Sequence, residues 1–260
     1  MENEYLFRAK CHNAYLFKIL SEILQTNLKT SCFQITSKGI FLRQMDVNRK
    51  TLVDVKLSAE NFLSFYYPSD HSMFLGLTLN HLHKLLKTVK KKDSIGLYIK
   101  KNEPTELAIQ VFPKENNRVT TSFLKIQRIQ NILVDLPQGY KNSVVIPSSE
   151  FQKISKDILA IGKSVQISAT LDTLEFSVDA GGILKRKVEY GNLHHEKQAT
   201  TYNEEFETDQ IIKISKICNL STLIHIYCVS HLPVCISTQI GQLGKISVYI
   251  KNKKQVIADS

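Results

Sequence analysis

The chain repeats itself, and that repeat limits its fold more than any other feature. FKILSEIL (Phe17–Leu24) and QKISKDIL (Gln152–Leu159) match in register 135 positions apart, and LHKLLK (Leu82–Lys87) and IIKISK (Ile211–Lys216) match 129 positions apart. Two segments recurring in the same order at nearly the same distance mean one domain of about 130 residues used twice. Each of the four segments reads as a helix, with apolar residues at helical spacing: Leu16, Ile19, Leu20, Ile23 and Leu24 in the first, Phe151, Ile154 and Ile158 in the third. Pro147 stands just ahead of Ser148-Ser149-Glu150, whose hydroxyls suit an N-cap.

Almost everything else reads as β-strand. SCFQITS, GIFLRQM, TLVDVKL, SIGLYIK and ELAIQVF in the first half are short and rich in β-branched or aromatic residues, as are SVQISAT, TLEFSVD, STLIHIYCVS, VCISTQI and KISVYIK in the second. Ser37-Lys38-Gly39, Gly181-Gly182 and Gly241-Gln242-Leu243-Gly244 supply turns. The fold class is therefore α+β, a domain of two helices packed on antiparallel sheets, present twice per chain. The expected division is an N-terminal domain over 1–122, a connector over 123–141 and a C-terminal domain over 142–260. Ile126, Ile129, Ile132, Leu133 and Leu136 make the connector more apolar than a free tether should be. Two readings stand: a last strand followed by an ordinary tether, or an extended segment packed along the surface with apolar side chains left available.

Charge narrows the class of partner. Lys plus Arg total 34 against 24 Asp plus Glu, a net charge of +10 with a pI near 9.3. A polyanion is the natural partner, since cationic side chains that meet phosphates release condensed counterions; nucleic acid and an anionic membrane surface are both open on this ground. The excess is uneven: residues 1–130 hold 20 basic and 11 acidic side chains, and 131–260 hold 14 and 13. No apolar run approaches the roughly 20 residues of a membrane span, and MENEYLFRAKCHNAYLF lacks the basic-then-apolar order of a signal peptide. The expectation is a soluble intracellular protein whose five cysteines (Cys11, Cys32, Cys218, Cys228, Cys235) are small buried apolar residues.

The lysines share the repeat. The four helices carry Lys18-Ile-Leu-Ser21, Lys84-Leu-Leu-Lys87, Lys153-Ile-Ser-Lys156 and Lys213-Ile-Ser-Lys216. Residues three apart on an α-helix lie about 60° apart around its axis, so each Lys-x-x-Lys pair shares a face. One such pair would mean only a solvated helix face; recurrence at equivalent positions of both halves points to sequence-blind contact with phosphates. Aromatics are sparse around these lysines, which argues against a stacking platform for single strands. Lys90-Lys91-Lys92 follows the second helix and reads as a solvated turn at least as well as a DNA contact.

No catalytic constellation is present. His225, Cys228, His231 and Cys235 have zinc-like spacing, but positions 225 and 228 fall on opposite faces if Leu223–Ser230 is a strand. His81 and His83 cannot converge from one helix, and His194-His195 lies in a loop with no obvious partner. There is no phosphate-binding glycine loop and no nucleophile elbow. Asn219-Leu220-Ser221 matches a glycosylation acceptor by chance. The chain reads as a scaffold, not an enzyme, with no metal and no cofactor.

With these residues in view, the sequence resembles the proliferating cell nuclear antigen family of DNA sliding clamps over essentially its whole length. GIFLRQMDVNRKTLVDVKL (Gly39–Leu57), VVIPSSEFQKISKDILAIGKSVQISA (Val144–Ala169) with LEFSVDAGG after it, LPV (Leu232–Val234) and GQLGKISVYI (Gly241–Ile250) carry the match. The resemblance implies a homotrimer of six similar domains, a pseudo-sixfold ring whose helices line a hole for double-stranded DNA. DNA polymerase and other enzymes would dock through short peptide motifs, and a clamp loader would place the ring on DNA. The implied DNA-binding residues are Lys18, Lys84, Lys87, Lys153, Lys156, Lys213 and Lys216. The implied partner-peptide pocket is Met45, Arg49, Leu52, Leu133, Leu136, Pro137, Pro233, Tyr249 and Ile250. Subunits would join edge to edge through Val119, Thr121 and Phe123 against Lys185, Val188 and Tyr190.

The departures from the family fit a divergent member, such as one encoded by a large DNA virus or a protist. The chain is basic where cellular members are acidic. Arg49 and Lys50 replace a histidine and an apolar residue beside the pocket, and Lys251-Asn252 replaces a small residue and proline after the last strand. These changes favour partners with acidic flanks. Leu171 stands where eukaryotic clamps carry a ubiquitin-accepting lysine. The expected location is the nucleus, or a viral replication compartment. A monomeric viral processivity factor, or one subunit of a heterotrimeric clamp, would show the same duplication and is the alternative.

Overall fold

A computed structural model describes residues 4–115, 118–170, 172–191 and 201–259. Leu171 and His194-His195 lie outside the described residues. The chain divides into two units, the first formed by Met1–Gln44, Asp54–Val134 and Gln239–Ile246, the second by Met45–Val53, Asp135–Thr238 and Ser247–Ser260.

The first unit is built from β1 (Tyr5–Cys11), α1 (Ala14–Asn27), β2 (Thr30–Thr36), β3 (Gly39–Met45), most of β4 (Thr51–Ser58), β5 (Ser64–Tyr66), β6 (Met73–Thr78), α2 (Leu79–Leu86), β7 (Ser94–Lys100), β8 (Glu106–Phe112) and β9 (Thr120–Lys125). One of its sheets has the order β5-β1-β7-β8-β9; in the other, β6, β2, β3 and β4 lie side by side. The second unit uses β10 (Val144–Pro147), α3 (Ser148–Leu159), β11 (Ser164–Ala169), β12 (Thr173–Ala180), β13 (Leu184–Gly191), β14 (Tyr202–Glu207), α4 (Thr208–Lys213), β15 (Leu223–Tyr227), most of β16 (Val234–Ile240), the end of β17 (Gly244–Ile250) and α5 (Lys253–Ala258). Its strands lie in the orders β10-β15-β16-β17 and β14-β11-β12-β13. Setting β5 and α5 aside, the two units have the same element order and the same strand neighbours. The repeat read from two pairs of short segments thus extends to the whole topology.

Each core forms because strand and helix periods deliver apolar side chains to one side. In α1, Leu16, Ile19, Leu20, Ile23 and Leu24 are all buried. Leu174, Phe176 and Val178 alternate inward along β12. Phe7, Ile35, Ile95 and Ile99 centre the first core, and Phe151, Phe206, Val165 and Ile224 the second, all 0–1% exposed. Burying a side chain of this size stabilises the fold by roughly 1.5–3 kcal/mol before entropy is counted.

Three local expectations change. Ser148 does not cap α3: its hydroxyl donates to Ser221 O at 2.6 Å, and Pro147 occupies the cap position. The fourth helix is broken, with α4 ending at Lys213 and a 3-10 turn over Ser215–Asn219. Lys213 and Lys216 therefore do not share one α-helix. The strand expected over Leu223–Ser230 stops at Tyr227.

After β9 the chain leaves regular structure but is tied down at once. Ile126 N donates to Thr105 O and Gln127 N to Gly76 O, both at 2.8 Å. That approach demands a glycine, since a Cβ on Gly76 would lie 2.2 Å from Gln127 O and 2.8 Å from the Ile129 side chain. Gly76→Ala should therefore destabilise the protein by about 1–3 kcal/mol through overpacking, measured as a lower urea midpoint at unchanged slope. A variant as stable as the parent would mean the segment after β9 moves aside without cost.

Candidate functional site

The helix lysines do not form one uniform set. In the first unit, Lys84 and Lys87 on and just after α2 are exposed, and among the described residues no acidic side chain pairs with them. Lys18 is half-buried: its Nζ donates to Val89 O at 3.1 Å and sits 5.6 Å from the centroid of the Tyr15 ring. Ser21, the counterpart of Lys156, is buried between α1 and α2, donating to Lys18 O at 2.7 Å and lying 3.3 Å from His83 Nδ1. In the second unit, Lys153 and Lys156 are exposed on α3, but Lys153 Nζ is 2.8 Å from Glu150 Oε1. That hydrogen bond holds the Lys153 ammonium above the usual lysine range. Lys213 and Lys216 are exposed on α4 and the 3-10 turn.

Of the residues that the resemblance assigns to a partner pocket, all but Leu133 lie in the second unit. Met45 and Pro233 are half-buried, whereas Leu52 and Ile250 are 3% and 0% exposed on β4 and β17 and offer no surface to a partner. Lys251 N donates to Lys50 O at 3.0 Å where these strands end. Tyr140 joins the end of the connector to this region. Its hydroxyl donates to Pro233 O at 2.6 Å, and its ring lies 5.7 Å from Tyr249 and 5.9 Å from Tyr227. Burial pushes the Tyr140 phenol well above its ordinary range, so it remains a donor. Leu136 and Pro137 are half-buried, while Leu133 is 90% exposed.

The basic rim is mostly neutralised. Lys50 pairs with Glu207 at 2.6 Å, and Lys251 pairs with Asp259. Arg49 is left exposed at the tip of a turn, at φ 56, with Asp46 Oδ1 accepting from Lys50 N and Thr51 N. Sequence reasoning missed α5, which starts in a reciprocal cap between Asn252 and Gln255. Lys253 reaches Glu205 at 2.7 Å and Lys254 reaches Glu204 at 3.2 Å, fastening α5 to β14. The capping residues three apart were the signal that could have found it.

Among the described residues, each unit also ends one sheet on a long strand with an unpaired side. β9 carries Phe123 at 55% exposure, with Val119 just before it at 51% and Thr121 exposed; β13 follows Ile183 at 94% and carries Leu184 at 50%. Lys185 is exposed, and Val188 and Tyr190 are half-buried. Lys187 is shared by Glu175 at 2.9 Å and Glu189 at 2.5 Å, and Arg186 lies 3.6 Å from Asp157.

The zinc-like set has other roles. His225 Nδ1 lies 3.2 Å from Ser143 Oγ, and burial, helped by Cys235, pushes the Cys228 thiol up to about 12. Among the described residues no three His, Cys, Asp or Glu side chains gather as metal ligands, and no helix is long and apolar enough to cross a membrane.

Comparison with known proteins gives one consistent answer. Residues 6–133 match the model of the proliferating cell nuclear antigen N-terminal domain, and residues 136–253 that of its C-terminal domain. A Dictyostelium discoideum protein named proliferating cell nuclear antigen is 26% identical over 258 residues, covering 95% of this chain and 99% of its own. The crystal structure of proliferating cellular nuclear antigen from Entamoeba histolytica superposes with a TM-score of 0.84 at 23% identity, over 96% of this chain and 99% of that one.

The Glu150 pair restrains one lysine that the resemblance assigns to DNA. Glu150→Gln should release Lys153 and tighten binding of a labelled linear duplex by up to roughly threefold at low salt, read by fluorescence anisotropy. Unchanged or weaker binding would remove Lys153 from the DNA-facing set.

Proposed function

The chain belongs to the proliferating cell nuclear antigen family, whose members are DNA sliding clamps without enzymatic activity, and from that premise we propose how this clamp is assembled and used. It is a processivity factor that holds polymerases and other DNA-processing enzymes on DNA and depends on a clamp loader to be placed there. In our reading three copies close a homotrimeric ring, β9 of one subunit adding to β13 of the next. The observation that carries this reading is the pair of long unpaired edges, each flanked by exposed apolar side chains. Such edges invite strand addition, which satisfies their free N–H and C=O groups. The ring works in the nucleus, or in a viral replication compartment.

Inside that ring, Lys18, Lys84, Lys87, Lys153, Lys156, Lys213 and Lys216 face duplex DNA. Ammonium groups on flexible stems bond phosphates without reading bases, so the contact is weak, salt-sensitive and the same at every position along the duplex. Retention comes from closure of the ring rather than from affinity. Enzymes are held through the groove of Met45, Leu136, Pro137, Pro233 and Tyr249, with Leu133 as an exposed anchor and Arg49 favouring an acidic flank.

Two measurements test the assembly and the groove separately. Light scattering after size exclusion should give the mass of three chains of 29.7 kDa each, and Phe123→Asp should reduce it to one. A parent protein of single-chain mass at micromolar concentration would replace the ring with a monomeric processivity factor. For the groove, Leu133→Ala with Leu136→Ala should weaken a polymerase-derived peptide at least tenfold, about 1.4 kcal/mol, with the oligomer intact. Peptide binding at parent strength would move the docking site elsewhere.

A further inference from the structure

Ser21 leaves α1 one lysine short of α3, and the structure supplies a replacement from another part of the chain. The turn after α2 places Lys91 Nζ 5.8 Å from the centroid of the same Tyr15 ring that carries Lys18 Nζ at 5.6 Å. We propose that Lys18 and Lys91, gathered on Tyr15, form a two-lysine phosphate site for the DNA backbone, standing in for the pair that Lys153 and Lys156 make on α3. This rests on the reading that the helix faces meet DNA.

The placement of Lys91 is built by the fold. Lys90 N donates to Asp93 Oδ2 at 2.8 Å and Asp93 N to Lys90 O at 3.2 Å, closing the turn. Asp93 O then accepts from Ala14 N at 2.9 Å, which ties the turn to the first residue of α1. Lys18 is anchored in the same segment, through Val89 O. The turn and the start of α1 are therefore tied together, and each brings a lysine to the Tyr15 ring. The Asp93 carboxylate is 6% exposed and engaged with backbone. Among the described residues no acidic side chain pairs with Lys90, Lys91 or Lys92.

Two ammonium groups over one aromatic ring share its favourable quadrupole but repel each other. A phosphate brought to this pair offsets both charges and releases its counterion. The equivalent connection of the second unit, Asn219-Leu220-Ser221-Thr222, holds no charge. The extra lysines thus occur only in the unit whose first helix lacks its second lysine.

The test is duplex affinity of the full chain across a range of sodium chloride, read by anisotropy of a labelled linear duplex. Lys91→Ala should weaken binding roughly threefold at low salt and make the slope of log affinity against log salt shallower by about 0.9, the loss of one phosphate contact. Tyr15→Leu should weaken it similarly, and Tyr15→Phe, which keeps the ring, should restore it. If Lys91→Ala matches the parent while Lys84→Ala is weaker, the phosphate site is wrong and the helix-face reading survives. If neither changes binding, the helix-face reading itself fails.

Discussion

Packing of one side of each helix against the sheets is the interaction on which the rest of the molecule depends. On α1 the stripe of Leu16, Ile19, Leu20, Ile23 and Leu24 is buried to within 7% of complete exclusion. A helix fixed so tightly on one side has no rotational freedom left. Turning α1 by one residue, about 100°, would drive Lys18 toward the core and lift Leu20 into water. Burying an unpaired ammonium costs far more than any surface contact returns. The apolar stripe therefore decides where the charge points.

The same economy governs the sheet edges. β5 ends its sheet after three residues, too short to recruit another strand. β14 is long enough, but it carries Glu204, Glu205 and Glu207, and α5 packs against it. β9 and β13, of six and eight residues, each expose an apolar side chain, Phe123 on one and Leu184 on the other, although β13 also carries Lys185, Arg186, Lys187 and Glu189. Short edges, charge and covering helices are the usual means of preventing strand addition. β9, with Lys125 as its one charge, has little of this protection, in keeping with the strand addition proposed for it.

Much of this was legible in the residues. β3, β7, β8 and β16 fall on the segments GIFLRQM, SIGLYIK, ELAIQVF and VCISTQI, because alternation and β-branching are local signals. What escaped depends on distant partners. β14, YNEEFE, has an unpromising composition for a strand, and its glutamates are neutralised by Lys50, Lys253 and Lys254 from remote segments. The 3-10 turn after α4 separates two lysines that a continuous helix would have aligned. Ser21 looked like a gap in a charged row, yet its hydroxyl is a buried contact between two helices.

Long-range pairing also determines what the net charge can do. The +10 excess is a property of composition, but lysines differ in whether their charge is already spent. Lys50, Lys251, Lys253 and Lys254 face carboxylates at the end of the second unit. A phosphate gains little there, because binding must first break an ion pair. Lys84, Lys87 and Lys156 have no such carboxylate partner among the described residues. Counterion release depends on charges that are solvated before the encounter. Pairing thus removes Lys50, Lys251, Lys253 and Lys254 from the charge open to a polyanion and leaves Lys84, Lys87 and Lys156 within it.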